Sequence, residues 1–247
     1  MKNSLRILSY NVHKGFNVGN RRYLLDDIRE SIREVNADVV FLQEIVGENR
    51  RHARRLDNWV DASQFEYLAD SVWPHFAYGR NAVYEHGHHG NAILSKYPII
   101  HSDNINVSVS RNSHRGLLMA VVAPDIYLIC VHMGLMGWER ERQFQLLSKV
   151  VHQRVPATAR LIVAGDFNDW RLRLHRPMCA NLGLREALTE IQGRPAQTFP
   201  AKRPLLPVDR IYFRGFDVSA AEVLRGEPWR SLSDHCALYT ELRNSTR

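Results

Sequence analysis

The chain has 247 residues, of which 45% are hydrophobic, and this is enough apolar surface for one large domain that we expect to span residues 1–247. No uncharged apolar run approaches the roughly 18 to 20 residues that a membrane-spanning helix needs, and the first residues lack the apolar stretch of a signal peptide. The three cysteines are too few for a disulfide framework, so we expect a soluble, cytoplasmic protein with reduced thiols. A net charge of +7 favours polyanionic partners such as nucleic acid, phosphorylated small molecules or anionic lipid.

The first part of the chain combines strand and helix patterns. Leu5 to Val12 mixes β-branched and aromatic residues with polar ones, which predicts a strand leading into a loop. Apolar residues at helical spacing predict a helix over Arg21 to Asn36. Val39 to Leu42 is predicted as a short buried strand, with Gln43-Glu44 at its carboxyl end, where α/β folds usually expose their chemistry.

The next part changes from polar segments to strands. Gly47 to Asp57 carries four arginines, which in the simplest interpretation lie on a solvated helix face, and a helix is predicted near Asp61 to Ser71. The Gly-punctuated stretch Tyr78 to Gly90 is predicted as a loop at the rim. Four strand-like runs separated by turn residues then predict an antiparallel stretch. These runs are Asn91 to Ser95, Ile99 to Val109, Arg115 to Ala123 and Ile126 to His132.

The last part returns to mixed helices and strands. The pattern predicts a charged amphipathic helix, a buried strand that ends in Gly165-Asp166, a second helix and two further strands, with a proline-rich connection before them. This order indicates a layered α/β architecture. The segments are Trp138 to Val155, Leu161 to Ala164, Leu172 to Leu182, Val208 to Phe213 and Cys236 to Leu242.

Polar side chains that suit chemistry follow several of the apolar runs. An Asn or Asp after a strand is usually only a turn former that satisfies its own backbone. Six such segments in one chain are harder to attribute to turns, and strand ends are where function gathers in α/β folds. The segments are Ser9-Tyr10-Asn11, Leu42-Gln43-Glu44, Val131-His132, Gly165-Asp166-Phe167-Asn168, Val208-Asp209-Arg210-Ile211-Tyr212 and Ser233-Asp234-His235.

These segments, with Gly90 to Ser95 and Arg115-Gly116, resemble the endonuclease/exonuclease/phosphatase superfamily of DNase I-like metal-dependent phosphoesterases over nearly the whole chain. The resemblance implies an α/β (α+β) fold, a four-layer sandwich of two stacked mixed β-sheets flanked by helices. It also implies a site at one edge, where both sheets contribute loops. The chain departs from the family pattern after His235, where Cys236-Ala237 replaces a frequent proline, and this affects packing more than chemistry.

The chemistry of a phosphate ester indicates which side chains a catalyst needs. The ester is anionic, so it needs a cation on a non-bridging oxygen, a base for water and a group that stabilises the departing oxygen. Carboxylate and amide oxygens suit Mg²⁺, and Mn²⁺ also fits. Glu44 is the first candidate metal ligand, with a surface salt bridge as its alternative role. Asn11 can hold the metal or a phosphate oxygen and Asp234 can complete the coordination, and the resemblance implies ligands at these positions.

Asp166 and Asn168 are separated by one residue, so in an extended turn their side chains point the same way while Phe167 points into the core. The resemblance implies that Asp166 orients and deprotonates the attacking water and that Asn168 holds the phosphate, with a second metal as a further option. A plain turn formed by the Asp166 side chain is the alternative.

His235 can donate to the phosphate, and the resemblance implies that Asp209 pairs with its other ring nitrogen. A carboxylate partner raises the pKa of an imidazole and favours its protonated form. His132 is expected to donate to a phosphate oxygen or to assist the leaving group. Two alternatives stay open, since His235 can act as the base instead of Asp166, and it can also be a neutral core histidine.

The rim is expected to bind substrate. The segment from Glu85 to Gly90 contains three histidines that could hold Zn²⁺, but its place before a strand favours a role in lining the substrate groove. The residues that we expect to bind substrate are Arg80, Asn81, His88, His89 and Arg115.

Three functions are consistent with these residues. The first is a nuclease on DNA or RNA, and the second is a phosphodiesterase or phosphatase for a phospholipid, sphingolipid or phosphorylated small molecule. The third is a binding protein without catalysis, which should have lost some of the acidic and imidazole residues named above, and none is missing. The expected partner is a phosphate-ester substrate, with nucleic acid as one candidate, and a monomer is expected.

Overall fold

A computed structural model describes residues 4–111, 113–122 and 125–245 and forms two six-stranded sheets with helices outside them. The strands are β1 (Ser4–Asn11), β2 (Val39–Asn49), β3 (His75–Tyr84), β4 (Gly87–Ser95), β5 (Ile99–Asn106), β6 (Gly116–Val122), β7 (Ile126–His132), β8 (Arg160–Asp166), β9 (Arg185–Glu186), β10 (Asp209–Arg214), β11 (Phe216–Leu224) and β12 (Ala237–Asn244). The helices are α1 (Leu25–Val35), α2 (Arg50–Ala53), α3 (Gln64–Ala69), α4 (Gly137–Arg154), α5 (His175–Leu182), α6 (Ala187–Gln192) and α7 (Trp229–Leu232), with a 3-10 helix at His13–Gly15.

The strand orders are β11-β12-β1-β2-β4-β3 in the first sheet and β5-β6-β7-β8-β10-β9 in the second. Each sheet is antiparallel except at one central parallel pair, β1 with β2 and β7 with β8. A parallel pair needs a crossover connection, and α1 and α4 supply the two crossovers. Asn11, His132 and Asp166 are the last residues of β1, β7 and β8, and Gln43 of β2 is paired with Asn11, so both parallel pairs carry residues that the sequence marked.

Three apolar clusters define four layers. The inner cluster contains residues of both sheets, such as Phe41 and Leu128, and fills the space between them. The first sheet packs its outer face on α1, α3 and α7, and the second packs its outer face on α4 and α5. The predicted four-layer sandwich of two mixed sheets is thus confirmed.

The inner face of each central strand changes from apolar to polar at one end. In β1, Leu5 and Ile7 belong to the inner cluster, and Asn11 follows on the same face because side chains alternate along a strand. In β8, Ile162 and Ala164 belong to that cluster and Asp166 continues their face. The same alternation that builds the core therefore delivers polar groups to the edge between the sheets.

The prediction of a loop over Tyr78 to Gly90 was wrong, because this stretch forms most of the β3–β4 hairpin. Its glycines permit close strand approach instead of breaking the strands. A Cβ atom on Gly90 would lie 1.8 Å from the carbonyl oxygen of Gly79. Composition alone does not distinguish a glycine that ends a strand from one that lets two strands meet.

The expected stretch of four successive antiparallel strands was wrong in its first member. β4 pairs with β2 and β3 in the first sheet, while β5, β6 and β7 form an antiparallel meander in the second. The chain crosses between sheets in residues 96–98. Ala123, the last residue of the predicted third strand, lies outside the described residues.

Other element boundaries differ in extent. The strand predicted as Val39 to Leu42 continues to Asn49, and α2 takes only four residues of the basic segment. The C-terminal part also contains β9, α6, β11 and α7, which the sequence pattern did not predict. Cys130, Cys179 and Cys236 are unpaired. None of the helices in the described part of the chain has the length and apolar character needed to cross a bilayer.

A buried ion pair connects the second sheet to the loop after β8. Arg210 and Asp169 are both fully buried, with Nη1 of Arg210 3.2 Å from Oδ2 of Asp169. The Asp169 carboxylate also accepts hydrogen bonds from the backbone N–H groups of Arg173 and Leu174, before α5. Arg210 donates a further bond of 2.9 Å to the carbonyl of Pro207. The pair thereby fixes the backbone on both sides of Asp209 and after Asn168.

Replacement of Arg210 tests this constraint. Arg210→Met should lower the free energy of unfolding by about 3 to 5 kcal/mol, because it leaves the Asp169 charge buried without a cation. Equilibrium urea denaturation measures the change. The control is Arg203→Met, an exposed position, which should change stability by less than about 0.5 kcal/mol. Equal stabilities of the two variants would contradict the assigned role.

Candidate active site

The Asp166 carboxylate lies at the centre of the polar edge and is buried. Its Oδ2 accepts a hydrogen bond of 3.2 Å from Nδ2 of Asn11, which belongs to the other sheet. The same oxygen lies 3.5 Å from Nε2 of His132 and 3.8 Å from Nε2 of His235. Its Oδ1 accepts the backbone N–H of Asn168 at 2.8 Å. Four predicted site residues therefore surround one carboxylate.

The strand register explains why β7, β8 and β10 present three site residues side by side. Asp166 is paired with His132 on one side and with Asp209 on the other. In the first sheet, Asn11 is paired with Gln43 in the same way. Residues that are far apart in sequence thus lie directly beside one another on adjacent strands of each sheet.

Glu44 reaches the site through a β-bulge. Between Leu42 and Ile45 the register advances three residues on β2 but two on β4, so β2 holds one extra residue. Glu44 takes a φ of 57°, a left-handed conformation that non-glycine residues rarely adopt. The sequence placed Glu44 at a strand end, whereas the strand continues past it. Such local strain is common at functional sites.

Two basic residues that the sequence analysis did not assign lie between the predicted metal ligands. Lys14 Nζ is 2.6 Å from Oε2 of Glu44. His13 Nδ1 is 3.3 Å from Oδ1 of Asp234 and 4.0 Å from Oε2 of Glu44, and its backbone N–H donates to Oδ1 of Asn11 at 3.1 Å. Glu44 and Asp234 therefore lie close enough together for one imidazole nitrogen to approach both carboxylates, and the His13 backbone joins Asn11 to them. The sequence feature that could have located these two residues is the basic pair His13-Lys14 itself, which lies close to Asn11 in the chain.

His235 and Asp209 form the expected pair, with Nδ1 of His235 2.9 Å from Oδ2 of Asp209. The proline-rich connection supplies supports that the sequence did not indicate. Thr198 accepts the backbone N–H of Asp209 through its hydroxyl at 3.2 Å, and the Phe199 ring packs on the His235 ring with centroids 4.9 Å apart. Ser233 donates to the carbonyl of Asn11 at 2.7 Å and joins this segment to β1.

His235 and His132 differ in the protonation of their imidazole rings. Burial lowers the pKa of His235, but the charge and hydrogen bond of Asp209 outweigh it, with smaller effects of Asp166 and Asp234, and raise the pKa to about 10. Burial and then the charge of Arg115 lower the pKa of His132 to about 4, against the attraction of the nearby carboxylates. At neutral pH His235 is therefore an imidazolium and His132 a neutral imidazole.

Two carboxylates of the site, those of Asp166 and Glu44, differ in their pKa values. Burial, together with the charge of Asp209, raises the pKa of Asp166 against the effect of His235. Burial also acts to raise the pKa of Glu44, but His132, which is protonated only at acidic pH, together with Lys14 and His13, holds it well below its ordinary value. Asp166 is thus the better proton acceptor and Glu44 the permanent anion.

Two groups of residues could hold a metal ion. Ligand atoms of Asp166, Asp209 and His235 lie within 4.8 Å of one another. However, an imidazolium bonded to Asp209 has no lone pair for a metal. The group of Asn11, Glu44 and Asp234 offers oxygen donors only, and a single imidazole nitrogen already lies within 4.0 Å of both of its carboxylates. This second donor set fits a hard ion such as Mg²⁺.

Asn168 ties together the two loops that follow β7 and β8. It takes a φ of 50°, and its Nδ2 donates to the carbonyl of Met133 at 3.0 Å. Together with the bond from its backbone N–H to Asp166, this contact ties the loop after β8 to the loop after β7. The side-chain turn that was the alternative interpretation is present, and it shapes the site.

The structure separates the predicted rim residues into two groups. The Arg115 charge lowers the pKa of both His132 and His89, so Arg115 is near enough to act electrostatically on both imidazoles. Asn81 accepts a hydrogen bond of 3.0 Å from Asn104 and lies against Gly116, the neighbour of Arg115. The buried Nδ1 of His89 and Nε of Arg115 have no hydrogen-bond partner in the described part of the chain.

His88 and Arg80 are not brought to the site. His88 contacts the Tyr78 hydroxyl at 2.9 Å, and Tyr78 stacks on Phe65 of α3, which lies on the outer face of the first sheet. Arg80 is exposed, and its charge acts on His88 and Tyr78. Because the segment is a strand and not a loop, His88 and its neighbour His89 point to opposite faces.

The chain matches the model of the Endonuclease/Exonuclease/phosphatase family over residues 8–235. It is 45% identical over 244 residues to the uncharacterized protein YbhP of Escherichia coli strain K12, a match that covers 97% of this chain and 96% of that protein. The corresponding protein of Shigella flexneri matches to the same extent.

Solved structures show the same fold. An endonuclease/exonuclease/phosphatase from Beutenbergia cavernae DSM 12333 superposes with a TM-score of 0.81 at 20% identity, over 99% of this chain and 72% of that one. D. rerio TDP2, complexed with a single-strand DNA product, superposes with a TM-score of 0.73 at 20% identity, over 98% of this chain and 100% of that one. At such identities the likeness establishes the fold.

The opposite protonation of the two imidazoles can be measured by NMR. In the metal-free chain, ring nitrogen shifts should show His235 protonated through neutral pH and His132 neutral down to about pH 5. Because the pKa of His235 is higher in the folded state, its stabilising effect is complete below about pH 6.5 and is lost as pH rises toward 10. Asp209→Asn should move the pKa of His235 back toward its ordinary value. An unchanged titration of His235 in that variant would contradict the pairing.

Removal of the Lys14 charge should strengthen metal binding. A divalent ion that binds Glu44 must either displace the Lys14 ammonium group or bind against its positive charge. The cost is on the order of 1 kcal/mol, which is the contribution of a partly exposed ion pair. Lys14→Met should therefore raise Mg²⁺ affinity by about fivefold in titration calorimetry. Lys149→Met, on an exposed position of α4, is the matched control. Weaker binding in Lys14→Met would show that Lys14 does not oppose the ion.

Proposed function

Because the chain belongs to the Endonuclease/Exonuclease/phosphatase family, we propose that it is a metal-dependent phosphoesterase that cleaves a phosphodiester by attack of water. One observation carries the proposal. An imidazolium held by Asp209 and a buried carboxylate of raised pKa, Asp166, lie beside a set of oxygen donors that suits Mg²⁺ or Mn²⁺. Residues 1–247 form the catalytic domain in this proposal.

Glu44, Asn11 and Asp234 would hold the ion. When bound, it would neutralise charge on a phosphoryl oxygen and so reduce the repulsion of the nucleophile. The donor set supports this role because Lys14 and His13 already approach the same oxygens as cations or donors. The proposal therefore assigns the metal to the Glu44 group.

Asp166 is the proposed base. It takes a proton from the attacking water while the water oxygen forms the new bond to phosphorus and the ester P–O bond breaks. His235 is protonated at neutral pH and cannot accept this proton, which supports Asp166 over His235. His235 instead donates from Nε2 to the anionic phosphoryl group, and Asp209 fixes its ring.

His132 and Asn168 complete the proposed set. His132 is neutral, so it can donate one N–H to a phosphoryl or leaving oxygen while remaining next to Asp166. Asn168 fixes the geometry of Asp166 through its backbone N–H, and its side-chain amide would hold the phosphate. Arg115, His89 and Asn81 would contact substrate further along the groove.

Two substrate classes carry the required diester. A polynucleotide is supported by a cavity of about 570 Å³ lined by Arg50, Arg51, Arg54 and Arg55, which suits a phosphate backbone. The TDP2 neighbour was solved with single-strand DNA. A lipid or other small phosphodiester is the second class, and apolar side chains exposed beside the site support it. A binding protein without catalysis is disfavoured because every proposed catalytic group is present and in contact.

Two substitutions test the catalytic proposal. Glu44→Ala should weaken Mg²⁺ binding, and His235→Ala should remove a donor to the transition state, so each should slow cleavage of bis-p-nitrophenyl phosphate by about a hundredfold or more. Metal-dependent release of p-nitrophenol measures the rate. Glu48→Ala, on an exposed part of the same strand, is the control and should retain the wild-type rate. Near-normal rates in either site variant would refute the assignment.

A further inference from the structure

Large apolar side chains are exposed on two loops that flank the candidate site. The loop between β7 and α4 begins one residue after His132 and exposes 70% of Leu135 and 57% of Met136, and Trp138, the second residue of α4, is 56% exposed. The loop between β8 and α5 begins after Asp166 and exposes 44% of Trp170. We call Leu135, Met136, Trp138 and Trp170 the apolar rim. Exposed patches of this kind on a folded protein mark interaction sites.

Buried side chains of α4 hold the backbone of the β7–α4 loop in place. Buried Arg140 of α4 donates through Nη1 to the carbonyls of Gly134 and Leu135. Buried Gln143 accepts the Gly134 N–H at 2.8 Å. The two loops are joined at their base by the bond from Asn168 to the carbonyl of Met133. The loop is therefore held from inside, and its apolar side chains are directed to solvent.

The apolar rim is continuous with the candidate site. Leu135, Met136, Trp138 and Arg115 line one cavity of about 350 Å³, together with Ser110, Ser113, Gly134 and Glu139. The Arg115 charge acts on His132 within the site. A molecule bound at the apolar rim would therefore lie next to the proposed catalytic groups.

Arginines surround the apolar rim. Arg115 lines one side of Trp138, Arg142 lines the cavity on its other side, and the Arg171 guanidinium lies 4.3 Å from the centroid of the Trp170 ring. No carboxylate lies within 4.0 Å of these three guanidinium groups in the part of the chain that the structure describes. The acidic residues of the same region are Glu139, which accepts the Met136 N–H, and Glu141. The charge that faces a ligand is thus mainly positive.

The chemistry of the apolar rim favours a lipid surface over a nucleic acid. Single-stranded nucleic acid binds on aromatic planes, where its bases stack. Leu135 and Met136 have no such plane, and Arg171 covers one face of Trp170. Aliphatic tips, tryptophan and a border of arginine are instead the combination that enters the interface of an anionic bilayer.

We propose that the apolar rim inserts into the surface of an anionic phospholipid bilayer and presents the phosphodiester of a lipid headgroup to the site. This proposal rests on the proposed function, since it names the substrate class of that same site. The acyl chains stay in the bilayer beside Leu135 and Met136, and Arg115 binds the headgroup phosphate as the headgroup enters the site.

Vesicle binding by the full chain tests the proposal. The chain should bind phosphatidylglycerol vesicles more tightly than phosphatidylcholine vesicles. Brominated acyl chains should quench the tryptophan emission, Trp138→Phe should reduce this quenching, and Trp138→Phe combined with Trp170→Phe should remove most of it. The triple variant Leu135→Gln, Met136→Gln, Trp138→Ala should bind vesicles at least about tenfold more weakly, since each side chain loses its transfer into an apolar medium.

Ile100→Gln is the matched control. Ile100 is 62% exposed on β5, at the end of the strand that pairs with Val122 and not at the Gly116 end near the site. It should bind vesicles as the wild type does. Equal loss in both variants, or no quenching by brominated lipid, would overturn the proposal. Quenching by a single-stranded oligonucleotide without any by vesicles would overturn it in favour of nucleic acid.

Failure of this proposal can be distinguished from failure of the proposed function. Cleavage of soluble bis-p-nitrophenyl phosphate by the wild-type chain needs no bilayer. If that cleavage is observed while vesicles are not bound, the catalytic proposal stands and the lipid surface is wrong. If vesicles are bound with the expected variant effects and no diester is cleaved, the docking surface stands and the catalytic proposal is wrong.

Discussion

The arrangement of the candidate site depends on the burial of one carboxylate, that of Asp166. A buried charge is costly unless it is paired and hydrogen-bonded, and the partners of Asp166 come from both sheets. Asn11 approaches from the first sheet, while His132 and the backbone of Asn168 approach from the second. His235 adds a cation from the segment that leads into β12. The two sheets must therefore pack in one relative position for Asp166 to be tolerated, and that position assembles the site.

Much of this could be predicted from the sequence. Strand alternation and the polar residues that end apolar runs located Asn11, Asp166, Asp209 and His235, which the structure brings together. The family resemblance gave the four-layer sandwich. These predictions succeed because the alternation of side chains along a strand and the identity of its last residue are both properties of the local sequence.

Features that depend on partners distant in sequence could not be predicted. The bulge at Glu44 is defined by register with β4, which no local pattern on β2 contains. The β3–β4 hairpin was mistaken for a loop because its glycines serve close packing, and this error also placed His88 with His89 in one groove. The contacts of His13 and Lys14 became visible only when Glu44 and Asp234 were placed beside them.

Both sheets share one pairing pattern, with two antiparallel pairs on each side of a single parallel pair. The site is consequently a cleft with two independently built walls, whose separation is determined by the thickness of the apolar layer between them. Side chains such as Phe41 and Leu128, which belong to that layer, act as spacers for the chemistry at its edge. A change in the volume of a spacer would alter the gap that Asn11 and Asp166 bridge. Substitutions in this layer that still allow the chain to fold could therefore disturb the geometry of the site.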